Sequence, residues 1–205
     1  MNGLYIVTPD WDDTERLLRV SEQALQGGAA LLQYRHKTAG PELRRIQATA
    51  LQALCRRYAR PFIINDYVEL CLELDTDGIH VGGTDAAVAA VRSAVGPDKI
   101  VGASCYGSLE LAHAAHLAGA SYVAYGGFYA SKVKKYPLTT SIEILAQSKA
   151  EIPLPSVVIG GMTQENSAPL VAAGADMVAA ISSIYLADDP AAAAREFADL
   201  FSASK

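Results

Sequence analysis

Short apolar runs rich in β-branched residues alternate along the chain with longer stretches in which apolar residues recur at helical spacing. A short, nearly continuous apolar run is typical of a strand that is buried on both faces of a parallel sheet. Eight runs meet this description. The sequence therefore predicts strands at residues 4–7, 30–34, 62–65, 78–81, 100–104, 122–126, 157–159 and 177–181.

The longer stretches predict helices, and several have recognisable ends. Pro41 and Pro190 stand where a proline is tolerated, in a first helical turn. Ser108 and Thr163 are suitable N-caps, and Gly27-Gly28 suits a helix end. The predicted helices span residues 12–26, 41–57, 68–74, 85–95, 108–117, 141–149, 164–172 and 190–201.

Strict alternation of eight strands with eight helices predicts an α/β fold with a parallel sheet and helical crossovers. Eight such units favour closure into a (β/α)8 TIM barrel, formed as a near-minimal single domain by residues 1–205. The alternative is an open doubly wound sheet, which usually shows G-x-G-x-x-G after its first strand. The sequence there is Thr8-Pro9-Asp10.

Composition narrows the functional classes. Apolar residues make up 51% of the 205, and 17 basic against 22 acidic residues give a net charge of −5. This excludes disorder and disfavours a nucleic-acid partner, so an anionic ligand needs a local basic cluster. Three widely spaced cysteines predict reduced, buried thiols, and neither a signal peptide nor a membrane-spanning run is recognisable. We expect a cytoplasmic protein without a membrane partner. The sequence leaves open whether the protein forms a homo-oligomer.

Polar residues concentrate where the predicted strands end. In a (β/α)8 barrel the active site lies at the carboxyl ends of the strands. Beginnings of strands carry little comparable chemistry. The polar positions are Thr8, Asp10, 33–37, 65–66, 80–85, Ser104, 126–135, 160–163 and 182–183.

Three groups among these positions predict particular ligands. Gln33, Arg35 and Lys37 alternate at period two, and share one face if the strand continues that far. Arg and Lys there suit a phosphate or a diphosphate, although a solvated strand end is the alternative. Asp66 and Asp85 follow neighbouring strands and suit Mg²⁺, although both also stand where a helix N-cap is expected.

The third group follows the seventh and eighth strands. Gly160-Gly161 and Ser182-Ser183 stand where barrel enzymes often bind phosphate, and simple turn chemistry is the alternative. The long loop at 127–140 is expected to be a lid or an ordinary surface loop. His80 is expected to be a satisfied histidine of the core or rim, and no partner base for Ser104 is evident.

Taken in order, the strand-end motifs resemble those of the thiamine-phosphate synthase family. The resemblance covers nearly the whole chain, from Leu4 to Ile184, and is specific through the order and spacing of short motifs. These are Gln33-Tyr34-Arg35-His36-Lys37, Ile63-Ile64-Asn65-Asp66, Gly78-Ile79-His80-Val81-Gly82 with Asp85, and Val158-Ile159-Gly160-Gly161-Met162-Thr163.

The resemblance implies a barrel enzyme that couples hydroxymethylpyrimidine diphosphate with thiazole phosphate, giving thiamine phosphate and pyrophosphate with Mg²⁺ as cofactor. The residues implied for the pyrimidine diphosphate are Gln33, Arg35, Lys37, Asn65, Ser104 and Lys134. Among these, Ser104 beside the pyrimidine and Lys134 on the departing pyrophosphate are the catalytic pair. Asp66 and Asp85 would hold the metal. The residues implied for the thiazole phosphate are Ser131, Gly161, Ile181 and Ser182.

The chain departs from the family's pattern at Val133, in a loop that usually reads Pro-Thr-x-Thr-Lys, at Gly83, where glutamine is usual, and at His36. Two other functions stay open. One is the related thiazole tautomerase, which interconverts thiazole phosphate isomers by proton transfer. The other is a non-catalytic barrel that binds a phosphate ester for regulation. The retained diphosphate and metal residues favour the synthase.

Overall fold

Eight parallel strands close into a barrel in a computed structural model that describes residues 1–82, 87–129 and 140–202. Each strand pairs with the next along the chain, and the eighth pairs with the first. The predicted (β/α)8 barrel is therefore confirmed. The strands are β1 Gly3–Val7, β2 Leu31–Tyr34, β3 Phe62–Asn65, β4 Gly78–Val81, β5 Ile100–Tyr106, β6 Tyr122–Gly126, β7 Ser156–Ile159 and β8 Met177–Ala180.

Helices follow the strands and cover the outside of the barrel. Within the described residues there are nine, one more than predicted, because a single helical turn follows β8 directly. The helices are α1 Thr14–Gln26, α2 Pro41–Arg57, α3 Val68–Glu73, α4 Ala87–Val95, α5 Leu109–Leu117, α6 Glu143–Glu151, α7 Gln164–Ala172, α8 Ser182–Tyr185 and α9 Pro190–Ser202. The predicted caps at Ser108 and Thr163 are confirmed, since each side chain accepts a backbone N–H three residues later.

Alternation along each strand divides the buried side chains between two layers. On β6, Tyr122 and Ala124 point into the barrel, whereas Val123 and Tyr125 pack against the helices. The Tyr125 hydroxyl donates to Ser148 Oγ of α6 at 2.8 Å. Because strands alternate in this way, the residues that face the barrel interior can be read directly from the sheet register.

The three cysteines are free and buried, as predicted. Burial raises the pKa of the Cys105 thiol to about 12, so this neighbour of Ser104 is not a thiolate nucleophile at neutral pH. In the part of the chain that the structure describes, no helix combines the length and the apolar character needed to cross a bilayer.

Candidate active site

A cavity of about 180 Å³ opens at the carboxyl end of the barrel, where the polar strand ends predicted a site. Gln33, Arg35, Lys37, Asn65, Asp66, Ser104 and Ile181 all line it, as do Tyr5, His80, Tyr106 and Gly160. With Ala124 of β6 also in the lining, the structure gathers residues from all eight strands or the loops that follow them. The remaining predicted residues are considered below.

The basic residues at the rim are held by the end of β1. Thr8 Oγ1 donates to the Arg35 carbonyl at 2.9 Å and accepts the Arg35 backbone N–H at 2.8 Å. Asp10 accepts from Arg35 Nη1 at 3.1 Å and from the Lys37 backbone N–H at 2.9 Å. Although β2 ends at Tyr34, these bonds extend the ordered backbone, and Gln33, Arg35 and Lys37 face one cavity.

Arg35 lines the cavity and has one buried donor without a partner among the described residues. Its side chain is 11% exposed, and the donor is Nε. An unpaired buried donor is costly unless a ligand completes it. A guanidinium with one edge on Asp10 and a free N–H is suited to an anionic ligand with several oxygens.

His36 explains one departure from the family's pattern, because it has a local structural role. Its ring is buried, and Nδ1 accepts the Ala39 backbone N–H at 3.1 Å. Its Nε2 lies 3.0 Å from Asp12 Oδ1. The imidazole therefore stabilises the turn beneath the rim and points away from the cavity, which it does not line.

Asp66 turns its carboxylate into the cavity through an unusual backbone conformation. Its φ is +63°, which is uncommon outside glycine, while its N–H still bonds the His80 carbonyl at 2.9 Å. Asp66 Oδ2 accepts from Asn65 Nδ2 at 2.7 Å and pairs with Lys37 Nζ. We call Asp10, Arg35, Lys37 and Asp66 the charged rim.

A hydrogen-bonded chain of side chains lies below the charged rim. Gln33 Nε2 donates to the Tyr5 hydroxyl at 2.8 Å, and that hydroxyl lies 2.8 Å from the Tyr122 hydroxyl. The Tyr122 hydroxyl lies 2.9 Å from His80 Nδ1, and His80 Nε2 lies 2.9 Å from Ser104 Oγ. We call these five residues the floor chain.

The floor chain corrects one expectation and confirms another. Ser104 does have an imidazole partner, which the sequence did not reveal. His80 is a satisfied, buried histidine, as expected. Burial raises the pKa values of Tyr5 and Tyr122 above the ordinary range of a phenol, so both keep their protons at neutral pH.

Two local features of β5 make room for this chain. A Cβ at Gly102 would lie 2.0 Å from Tyr122 Cζ and 2.2 Å from its hydroxyl, so only glycine leaves space for that ring. Gly102 pairs with His80 on one side and Tyr122 on the other. The register then shifts between Ser104 and Tyr106, a bulge of the kind that often re-aims side chains beside active sites.

The ends of β7 and β8 lie beside the same cavity. Gly160 and Ile181 line it, Gly161 follows Gly160, and both glycines have positive φ, at +111° and +63°. Ser182 is the first residue of α8. Barrel enzymes frequently bind phosphate with the loops after these two strands and a short extra helix. The sequence predicted the loops but not the helix.

Three predicted site residues, Asp85, Ser131 and Lys134, lie outside the described residues, as do the departures Gly83 and Val133. The metal prediction therefore depends on Asp66 alone in this structure. Within the described residues no three acidic, histidine or cysteine side chains cluster as a metal site. Mg²⁺ sites in proteins commonly use only one or two carboxylates, with phosphate and water oxygens completing the shell. The accessible Asp66 carboxylate fits that requirement.

A barrel with this cavity could host many activities, because fold does not determine function. The chain matches the family model described as thiamine monophosphate synthase over residues 4–184. The chain belongs to the thiamine monophosphate synthase family.

Individual members of the thiamine monophosphate synthase family are similar over nearly their full length. A thiamine-phosphate synthase of Janthinobacterium sp. (strain Marseille) is 68% identical over 201 residues, covering 98% of this chain and 97% of the relative. One from Methylobacillus flagellatus is 48% identical, covering 98% and 96%. The solved structure of a thiamine phosphate pyrophosphorylase from Pyrococcus furiosus superposes with a TM-score of 0.87 at 29% identity, covering 98% and 96%.

Proposed function

We propose that the protein is a thiamine-phosphate synthase, which couples hydroxymethylpyrimidine diphosphate with thiazole phosphate. The observation that carries this conclusion is the 68% identity to a synthase over nearly the whole chain. The cavity supports it, because basic, acidic and neutral polar side chains line one pocket at the carboxyl end of the barrel.

The reaction breaks one bond and forms one. The C–O bond between the pyrimidine methylene and the diphosphate breaks, and pyrophosphate leaves with the bonding electron pair. The thiazole ring nitrogen then donates its lone pair to the methylene carbon, forming the C–N bond of thiamine phosphate. The pyrimidine amino group stabilises the methylene cation, so the enzyme needs no nucleophile of its own.

Charge neutralisation on the departing pyrophosphate is the main demand on the protein. Arg35 offers its guanidinium, and Lys37 offers its ammonium from the same side of the cavity. Lys134 is proposed to bind the same leaving group, by resemblance to the family. Gln33, Asn65 and Ser104 are proposed to contact the pyrimidine diphosphate deeper in the cavity.

The thiazole phosphate is proposed to bind beside β7 and β8. Gly161 and Ser182 offer backbone N–H groups there, and Ile181 offers an apolar surface. Ser131 is assigned to the same phosphate by resemblance to the family. Both substrates are small molecules, and we propose that the enzyme works in the cytoplasm without a nucleic-acid partner. Its free, buried cysteines and net charge of −5 support that proposal.

Mg²⁺ is the proposed cofactor, held by Asp66 and Asp85 together with diphosphate oxygens. When bound, it supplies positive charge to the leaving diphosphate. Asp66 is now paired with Lys37, so we propose that the Lys37 ammonium moves to the diphosphate as the carboxylate takes the metal.

The direct test mixes both substrates with the purified full chain and MgCl₂ and follows thiamine phosphate. We expect product and an equimolar amount of pyrophosphate. Isomerised thiazole phosphate without thiamine phosphate would instead identify a tautomerase. Binding of either substrate with no conversion would identify a regulatory barrel.

The metal assignment is tested by titrating Mg²⁺ in the same assay. Asp66→Ala and Asp85→Ala should each raise the Mg²⁺ concentration that gives half-maximal turnover by roughly tenfold or more. Asp75→Ala is the matched control, because Asp75 is exposed and pairs with Lys99 away from the cavity. An unchanged metal response in both site variants would remove the two carboxylates from the metal site.

A further inference from the structure

The floor chain contains three residues, Tyr5, Tyr122 and His80, that the proposed reaction does not use as substrate ligands. All three are buried, and each forms hydrogen bonds to its neighbours in the chain through side-chain polar atoms. A buried polar network stabilises the fold only when every donor and acceptor in it has a hydrogen-bond partner. The direction of each hydrogen bond can therefore be worked out from one end.

Gln33 fixes the direction at one end of the chain. The amide nitrogen Nε2 can donate hydrogen bonds but cannot accept them, so the Tyr5 hydroxyl must accept from it. Among the hydrogen bonds of the described residues, the acceptor within reach of the Tyr5 proton is the Tyr122 hydroxyl, 2.8 Å away. Tyr5 is 1% exposed, and its hydroxyl proton is therefore assigned to Tyr122.

The same reasoning carries the direction onward to His80. Tyr122 accepts from Tyr5, is fully buried, and has His80 Nδ1 at 2.9 Å as the acceptor for its own proton. The two rings also stack, with centroids 5.6 Å apart and 18° between their planes. An Nδ1 that accepts is unprotonated, so the neutral imidazole carries its proton on Nε2.

Ser104 receives the last bond. With the His80 proton on Nε2, the imidazole donates to Ser104 Oγ at 2.9 Å. The hydroxyl proton of Ser104 cannot point back along that bond. Ser104 forms part of the cavity wall, so its proton is available to an acceptor in the cavity.

We propose that His80 is a positioning residue whose tautomer, set by Tyr5 and Tyr122, turns the Ser104 hydroxyl into a fixed hydrogen-bond donor towards the pyrimidine diphosphate. This inference rests on the proposed function for the identity of the ligand, but the tautomer does not depend on it. The chain supplies a preoriented donor, which lowers the cost of ordering the site when substrate binds.

The tautomer is tested directly on the full chain by long-range ¹H–¹⁵N correlation spectra of protein labelled with [¹⁵N]histidine. The His80 signals are assigned by their loss in His80→Gln. We expect an unprotonated Nδ1 and a protonated Nε2 at neutral pH. A protonated Nδ1 would overturn the proposal, because it requires Gln33 to be turned over and every bond of the chain reversed.

The consequence for substrate binding is tested by kinetics with Tyr122→Phe. Loss of the Tyr122 hydroxyl frees the His80 tautomer, so the KM for the pyrimidine diphosphate should rise about tenfold, as expected for one hydrogen bond. The KM for the thiazole phosphate should stay the same. Tyr125→Phe is the matched control, since it removes a buried, bonded hydroxyl from the same strand on its outer face.

Two kinetic results would overturn the proposal. One is a Tyr122→Phe enzyme that behaves like Tyr125→Phe, and the other is an equal rise of both KM values, which indicates general loosening of the barrel. In a Ser104→Ala background most of the Tyr122→Phe effect should vanish, because the chain acts through that hydroxyl. A wild-type enzyme that makes no thiamine phosphate would refute the proposed function instead, and leave the tautomer measurement intact.

Discussion

The charged rim and the floor chain differ in the exposure of their polar side chains and in the kind of partner that each side chain has. At the rim, Lys37 and Asp66 are 45% and 35% exposed, and each charge has a neighbouring charge as its partner. On the floor, Tyr5 and Tyr122 are almost completely buried, and their hydroxyls bond to each other, to Gln33 and to His80. An anionic ligand must therefore exchange partners at the rim, whereas the floor is already arranged before it arrives.

This difference separates two contributions to ligand binding, which are electrostatic attraction and orientation. Exchange of exposed ion pairs gives an interaction that is long-ranged and screened by salt. A buried neutral network gives orientation, because its geometry is fixed by packing and by the direction of each bond. Variants at the rim should mainly change charge stabilisation, and variants on the floor should mainly change fit.

The largest effect is expected at the rim, with Arg35→Ala. Turnover should fall by roughly 100- to 1,000-fold, as when one preorganised donor to developing charge is lost. Steady-state assays at saturating substrate measure this. Arg45→Ala is the control, because Arg45 is 67% exposed and pairs with Glu73 away from the cavity. If the two variants lose equal activity, the rim does not stabilise the leaving group.

A somewhat smaller effect on stability is expected on the floor, with Gly102→Ala. The added methyl would overlap the Tyr122 ring, which has no room to move inside the barrel, so the free energy of unfolding should fall by about 3 kcal/mol. Urea denaturation measures the change. Gly40→Ala should alter stability by less than about 1 kcal/mol, since nothing lies within 4 Å of its added Cβ. Equal losses would show that the barrel repacks around the floor.

The floor should also make the protein sensitive to alkali. An unfolded phenol ionises near pH 10, whereas burial raises the pKa of Tyr5 and Tyr122 in the folded protein. The folded state then holds more protons, so the free energy of unfolding falls as pH rises above 10. Each phenol contributes at most about 1.4 kcal/mol per pH unit.

Urea unfolding between pH 8 and pH 11 measures this slope. Tyr5→Phe should make it shallower, and Arg35→Ala should leave it unchanged because the guanidinium does not titrate in this range. A slope that is identical in all three proteins would mean that the floor phenols ionise without unfolding.

The smallest effect concerns salt. Raising NaCl from 0.05 to 0.5 M should increase the KM for the pyrimidine diphosphate roughly threefold, because exposed charges are screened. The ratio of KM values between Tyr122→Phe and wild type should stay constant over the same range. A ratio that changes with salt would mean that the floor chain is coupled electrostatically to the charged rim.

The strands could be predicted from the sequence because they are buried on both faces and appear as continuous apolar runs. Helix α8 could not, since four residues are too few to show a helical period. Strand β5 continues two residues past its predicted end at Ser104, because the bulge before Tyr106 lets pairing resume on a less apolar stretch.

The charged rim could be predicted in outline because its residues follow strand ends, which meet at one face of a barrel. The floor chain could not, because its contacts depend on register between distant strands. Tyr5 and Tyr122 are 117 positions apart, and His80 and Ser104 are 24 apart. Period-two alternation on β4 and β5 was the available signal, since it places both His80 and Ser104 inside the barrel.

The fit of the Tyr122 ring over Gly102 has a consequence for the timing of the reaction. Because that ring is completely buried, the cavity ends at the tyrosines and does not continue through the barrel. In a cavity with one opening, the ligand that binds deepest must enter first and leave last. A substrate seated against Tyr5 and Ser104 must enter before anything that settles above it, and a product part resting there must leave after the upper part has moved away.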